Sequence, residues 1–480
     1  MKVALLALIL ASASAHAEKR WLAGDHHIHS HFSPGYDYTV NPPKHIIGGD
    51  AVNPLPTNAA FAKKYGLSWM VGTDHGGPNH SKLNRDMAYP ELLKSRKEVP
   101  EVIQFYGMEL NTPGADHSSL IIPFTDDEQQ VLFKLEHDFD KREVFPMDVS
   151  RDVEDKMLAA LAVMAALPSP PVVIANHPSR SATAYGEYGD DDPAEFRRWN
   201  NTAPNVAVGM AGAPGHQAMA LAGGVIKKWF AASKSASKSA SKSLLKLSRG
   251  AYGRYPTLGG FDQMTARVGG FWDSMLGEGR RWWITSNSDF HRHYSEDGID
   301  FYPGEYSKTY VYAEKNHAAI LSALRSGQVF VTTGDLVSEA DVTVSYKKAE
   351  ASMGGELVVD RGNDVQIEIR VRDPDGKNSH GSNPALSRID LIVGSIGARS
   401  NDLSINSNNS TRVLYRFTAK DWQRTGELLT MRKTLAINES MYLRVRGTNT
   451  SELEPTEDPS GENPWDDLWF YTNPVFVTAR

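Results

Sequence analysis

The stretch Asp25-His26-His27-Ile28-His29-Ser30-His31 packs four imidazoles and a carboxylate into seven residues. If it runs as a strand, Asp25, His27, His29 and His31 share one face while His26 and Ile28 take the other. Two imidazoles two residues apart on one face can ligate a single divalent ion, and a nearby carboxylate can accept the other ring N–H of a ligand. Further chemistry-bearing residues stand at the ends of later apolar runs: Asp74-His75, Glu109, His117, His177 and Asp289-Phe290-His291. The candidate ligands are therefore His27, His29, His75, Glu109, His117, His177, Asp289 and His291. The chain has no cysteine, so imidazole and carboxylate are its strong ligands, a mixture that suits Zn, Mn or Fe(II). Two such ions close together could activate a water and steady both the attacking and the leaving oxygen of a displacement.

The elements that must position these residues follow a rhythm. A Pro/Gly-rich loop, 33–56, is too rich in breakers for regular structure. A helix is expected over 57–65 with Gly66 as its stop, then a buried strand over 67–73 that ends at Asp74-His75. A strand over 102–108 closes on Glu109, and His117 opens the next apolar run. A helix over 152–167 leads to a strand over 171–175 and to Asn176-His177-Pro178. Strands over 205–210 and 281–288 follow, the second ending at Asp289-Phe290-His291. Helix, strand and a polar residue at the strand's C-terminal end is the rhythm of a β/α barrel. Strand, helix and strand over 309–313, 317–325 and 329–334 complete the first domain, expected at 18–335. The Lys/Ser-rich segment at about 227–248 interrupts it as a surface insertion. From 336 to 480 alternating strands separated by Asp/Asn/Gly/Pro turns predict an antiparallel β-sandwich.

Met1-Lys2, the apolar run Val3 to Leu10 and Ala15-His16-Ala17 read as a secretory signal occupying 1–17. No run approaches the roughly 20 apolar residues that cross a bilayer, so no transmembrane segment is expected in the mature chain. A net charge of −7 without a basic stripe argues against dedicated duplex nucleic-acid binding.

The motifs His27-Ile28-His29, Thr73-Asp74-His75, Glu109 followed by His117, Asn176-His177-Pro178 and Ser288-Asp289-Phe290-His291 resemble, in kind and order, those of the PHP (polymerase and histidinol phosphatase) family over residues 21–334. The β-sandwich is similar to that of exported PHP-type metallohydrolases. The resemblance implies a distorted seven-stranded TIM-like β/α barrel, a site for two or three metals and phosphoester hydrolysis. It implies that His27, His29, Glu109 and Asp289 hold one ion and Glu109, His117 and His177 a second, with Glu109 bridging. His75 and His291 would serve a third. The family often carries another ligand just after the first motif; here Ser33-Pro34-Gly35 stands there, with His31 or Asp37 as substitutes.

A phosphoester substrate also needs cationic donors. Arg180 and Arg292 follow His177 and His291 closely enough to supply them, and Asp74 is a candidate proton shuttle or partner of a ligand histidine. One rival keeps the metals and hydrolyses a carbamate or carboxylic ester; a pocket lined by Trp or Phe without engaged arginines would favour it. Another is a non-catalytic exported protein that binds a polymer through its sandwich and uses metal structurally.

Overall fold

The computed structural model describes residues 18–221 and 249–480. The export signal and the insertion expected at 227–248 lie outside the described residues. The first strands are β1 (Arg20–Ile28), β2 (Gly35–Asp37), β3 (Lys44–Ile46), β4 (Trp69–Gly72), β5 (Ile103–Asn111) and β6 (His117–Ile121). They continue as β7 (Val172–Ala175), β8 (Ala207–Ala213), β9 (Trp283–Ser286), β10 (Ser307–Ala313) and β11 (Val329–Thr333). The fold is mixed α/β, with a large mixed sheet and a separate antiparallel sheet.

Within the large sheet the order β11-β10-β1-β4-β5-β6-β7-β8-β9 carries the site. β1, β4 and β5 are parallel, as are β7, β8 and β9. β6 runs antiparallel to both of its neighbours. The uniform β/α rhythm fails here because Thr112-Pro113-Gly114-Ala115-Asp116 is too short for a crossover and allows only a hairpin. Gly114 turns it at a positive φ of 73°. That reversal brings the first residue of β6, His117, to the end of the sheet where its parallel neighbours finish. Glu109 lies inside β5, opposite Ser119, and does not close the strand. The segment that follows β9 meets β1 through an isolated bridge, Ile28 to Phe290.

The strands are buried on both faces, as their apolar runs dictate. Trp69, Met108, Leu120, Ile174, Met210 and Ile284 are all sealed in the core. Helices Leu55–Lys64, Tyr89–Glu98, Glu128–Phe139, Glu154–Ala165 and Pro193–Thr202 flank them. The loop over 33–56 is not free of regular structure, since β2 and β3 pair as a short hairpin.

The remaining strands are β12 (Glu339–Tyr346), β13 (Ala349–Ser352), β14 (Glu356–Val359), β15 (Asn363–Arg372), β16 (Arg388–Ser395), β17 (Arg412–Phe417), β18 (Gln423–Thr425), β19 (Leu428–Ile437), β20 (Met441–Thr448), β21 (Trp469–Thr472) and β22 (Val475–Ala479). β13, β12, β15, β19 and β18 form the separate antiparallel sheet, whose inner face packs Val342, Val344, Ile367 and Ile369 against Leu391, Leu443 and Val445. The second layer is continuous with the large sheet, because β21 pairs with β11 through Phe330–Thr472, Val331–Tyr471 and Thr332–Phe470. The C-terminal strands therefore share backbone hydrogen bonds with the site-bearing part of the molecule.

Candidate metal centre

β1 delivers His27 and His29, but not by simple alternation. Its register against β4 slips between Asp25 and Ile28, and the His27 amide donates to the Asp25 carboxylate at 3.0 Å. The two imidazoles converge with Nε2 atoms 3.0 Å apart. Around them stand Glu109 Oε1, 3.1 Å from His27 Nε2, and Asp289 Oδ1, 3.2 Å from His27 and 3.1 Å from His29. All four side chains are buried. An ion bonded at about 2.05 Å keeps neighbouring ligand atoms about 2.9 Å apart in an octahedron and about 3.3 Å apart in a tetrahedron. The observed separations fall across that range.

Glu109 reaches a second group through the same oxygen: His117 Nδ1 is 3.3 Å and His177 Nε2 3.2 Å from Oε1. Its other oxygen, Oε2, lies 2.8 Å from His75 Nδ1 and 3.4 Å from His29 Nε2. A third cluster gathers His29, His75 and His291. Asp50 closes it, with Oδ2 3.7 Å from His75 Nε2 and 3.4 Å from His291 Nε2. Neither suggested substitute for the missing early ligand is there: His31 pairs with Glu91 at 3.0 Å, and Asp37 accepts from Thr39.

Sequence reasoning also passed over His216 and Asp116. His216 follows β8 as His177 follows β7, which was the available signal. Its Nε2 is 2.6 Å from Asp289 Oδ2 and its Nδ1 bonds Asp300. Asp116 adjoins His117 and sits 3.3 Å from His177 Nδ1.

Three of these residues hold the left-handed backbone that non-glycine residues avoid: His177 at φ 30°, His216 at 51° and Asp289 at 48°. Strain of this kind gathers where a site is over-determined by its surroundings. Glu109 Oε2 and His27 Nδ1 are buried without a hydrogen-bond partner, a cost that metal ligation of the carboxylate would remove for the first. Burial opposes ionisation of Glu109, but His27, His117 and His75 outweigh it and hold its carboxyl well below the usual range. At Asp289 burial is likewise outweighed, by His216 and His27. Burial pushes the His117 imidazole down to about 4, and burial with the proximity of His291 and His75 lowers His29 as well. Burial opposes protonation of His177 and His291, but hydrogen bonds from His177 to Asp116 and Glu109, and from His291 to Asp50, outweigh it and raise both to about 9. A bound cation would displace those protons, and carboxylates grouped with imidazoles are a donor set that a divalent ion can use, so the residues fit the group.

The expected ligands thus converge, while the residues assigned to substrate divide. Arg180 Nη2 contacts Asp116 at 3.2 Å and the side chain lines a cavity of about 490 Å³ over the cluster. Arg292 stands exposed at the same cavity, which also takes in Asp50, His75, His216, Asp289 and His291. No Trp or Phe is among the described residues that line it. Asp74 does not reach the cavity. Its two oxygens accept from the Ser30 amide at 2.5 Å and the Ser30 hydroxyl at 2.8 Å, tying down the turn after β1.

No family model matches the chain, and no curated protein matches it.

Proposed function

We propose that the chain is an exported metal-dependent phosphoesterase with a two- or three-ion site, built on a distorted seven-stranded barrel of the PHP kind. Support for the barrel comes from the run β1-β4-β5-β6-β7-β8-β9 and the bridge that brings Phe290 back to Ile28. The observation that carries the activity is Glu109: one buried carboxylate faces imidazoles from separate strands on each of its oxygens.

Bound Zn, Mn or Fe ions would supply a water of lowered pKa and positive charge for the attacking and leaving oxygens. His27, His29, Glu109 and Asp289 would hold the first, Glu109, His117 and His177 the second, and His75 and His291 with Asp50 a third. Arg180, whose Nη2 is braced by Asp116, turns its remaining guanidinium donors to phosphate oxygens, and Arg292 meets the same group from the rim. Those two arginines, and a lining without Trp or Phe among the described residues, favour a phosphoester over a carbamate. The test is turnover of a chromogenic phosphodiester, a phosphomonoester and an aryl carbamate by the metal-loaded protein. Hydrolysis of a phosphoester supports the reading; activity confined to the carbamate replaces it with acyl hydrolysis, and no turnover at full loading favours the polymer-binding alternative.

A further inference from the structure

A bridging carboxylate must be held in one plane, because the terminal torsion of a glutamate is soft. Among the described residues Glu109 is contacted by five imidazoles, all candidate ligands, and by one other donor, Asn176 Nδ2, 2.9 Å from Oε1. Imidazoles that present their lone pairs to metal cease to donate to Glu109. Asn176 is then the remaining protein hydrogen bond that fixes the carboxylate.

Behind Asn176 runs a chain of buried groups. Its Oδ1 is 2.9 Å from Ser119 Oγ, Ser119 Oγ is 3.1 Å from His26 Nδ1, and His26 Nε2 is 2.8 Å from Thr285 Oγ1. All four side chains are buried. The proton order is forced from the carboxylate outward. Asn176 donates through its NH₂ to Glu109 Oε1, so its amide oxygen accepts from Ser119. Ser119 spends its single proton on that oxygen and can only accept from His26. His26 therefore carries a proton on Nδ1, and its Nε2 faces the Thr285 hydroxyl, which also lies 3.4 Å from the Met210 carbonyl. The chain crosses β9, β1, β6 and the end of β7.

We propose that Thr285, His26, Ser119 and Asn176 form a proton-ordered relay that orients Glu109 as the shared carboxylate, making them positioning residues for the second metal ion. The proposal rests on the metal reading above. Its test uses the full chain stripped of metal, titrated with Mn²⁺ by calorimetry and followed by electron paramagnetic resonance of the loaded protein. The wild type should bind at least two ions and show an exchange-coupled pair. Ser119→Ala and Asn176→Ala should bind the first ion nearly as tightly, but the second about tenfold or more weakly, with the coupled signal diminished. Thr309→Val removes a buried hydroxyl that bonds Ser286 outside the relay. It should lower the melting temperature yet leave both affinities and the coupling unchanged. If Ser119→Ala fails to fold, the near-isosteric Thr285→Val carries the same expectation. Unchanged second-ion affinity and coupling in the folded relay variants would overturn the relay alone. A wild type that binds no coupled pair would overturn the dinuclear reading and the relay with it.

Discussion

Glu109 carries more of the proposed chemistry than any other side chain. Glu109→Gln keeps the shape and removes the charge that two ions would share, so metal content and rate should fall together, the rate by at least about a hundredfold. Elemental analysis and phosphodiester turnover on the same sample check this; full metal with full rate would contradict it. Arg180→Ala should keep its metal and raise KM for phosphoesters by about tenfold, the scale of one charge-assisted contact. A fall in metal content in that variant would move Arg180 from substrate binding to site assembly. Residue types and spacing made the eight ligand candidates legible, because each stands beside an apolar run that had to be a buried strand. Asp50 was not legible, since it arrives from a Pro/Gly-rich loop with no periodicity to place it. His216 carried the right position after β8, but it lacked a second ligand nearby in sequence.

At the scale of elements, the short β5–β6 link could have been read as a hairpin, and its reversal explains why His117 opens its strand whereas His29, His75, His177, Asp289 and His291 follow theirs. The slip in β1 could not be read: it depends on Asp25 capturing the His27 amide, a tertiary arrangement that also includes the Ser288 amide. A second buried pair makes an element-scale prediction. His80, at the start of a one-turn helix, donates to Glu136 of helix Glu128–Phe139 at 2.5 Å. Burial disfavours its protonation, but attraction to Glu136 and their hydrogen bond outweigh it and raise the pKa from 6.5 to about 9. The folded state thus binds this proton more tightly than the unfolded state. The resulting stability is fully present below pH about 6.5 and is lost as pH rises through about 9, a contribution on the order of 3 kcal/mol. Urea denaturation at several pH values should show a loss of stability over that window in the wild type, with a flatter profile in His80→Gln. Equal slopes in both proteins would sink the assignment.

Over the whole molecule, the alternation past 336 made strands and an antiparallel sheet legible, but nothing in the pattern revealed that β21 would pair with β11. The seam is reinforced by a buried ion pair, Arg444 Nη2 to Asp273 Oδ2 at 2.7 Å, and by Asn473, whose side chain bonds both the amide and the carbonyl of Ile284 in β9. A chain truncated after Asp335 would expose the β11 edge and strip Asp273 of its partner. It should fail to give a cooperative thermal transition, even though the sequence pattern sets residues 18–335 apart as a domain. Arg444→Met should cost about 3–5 kcal/mol, because a buried carboxylate is left unpaired, and should lower one shared melting transition; two transitions shifting independently would show that the layers fold apart.

The central claim is that buried imidazoles and two carboxylates hold at least two ions that drive phosphoester hydrolysis. The most direct measurement strips the purified protein with a chelator and restores Zn²⁺ or Mn²⁺ stepwise while following hydrolysis of a chromogenic phosphodiester and phosphomonoester. The account predicts no activity without metal and a rate that climbs until at least about two ions are bound per chain. Activity that survives full metal removal, or that saturates with a single ion bound, would contradict it.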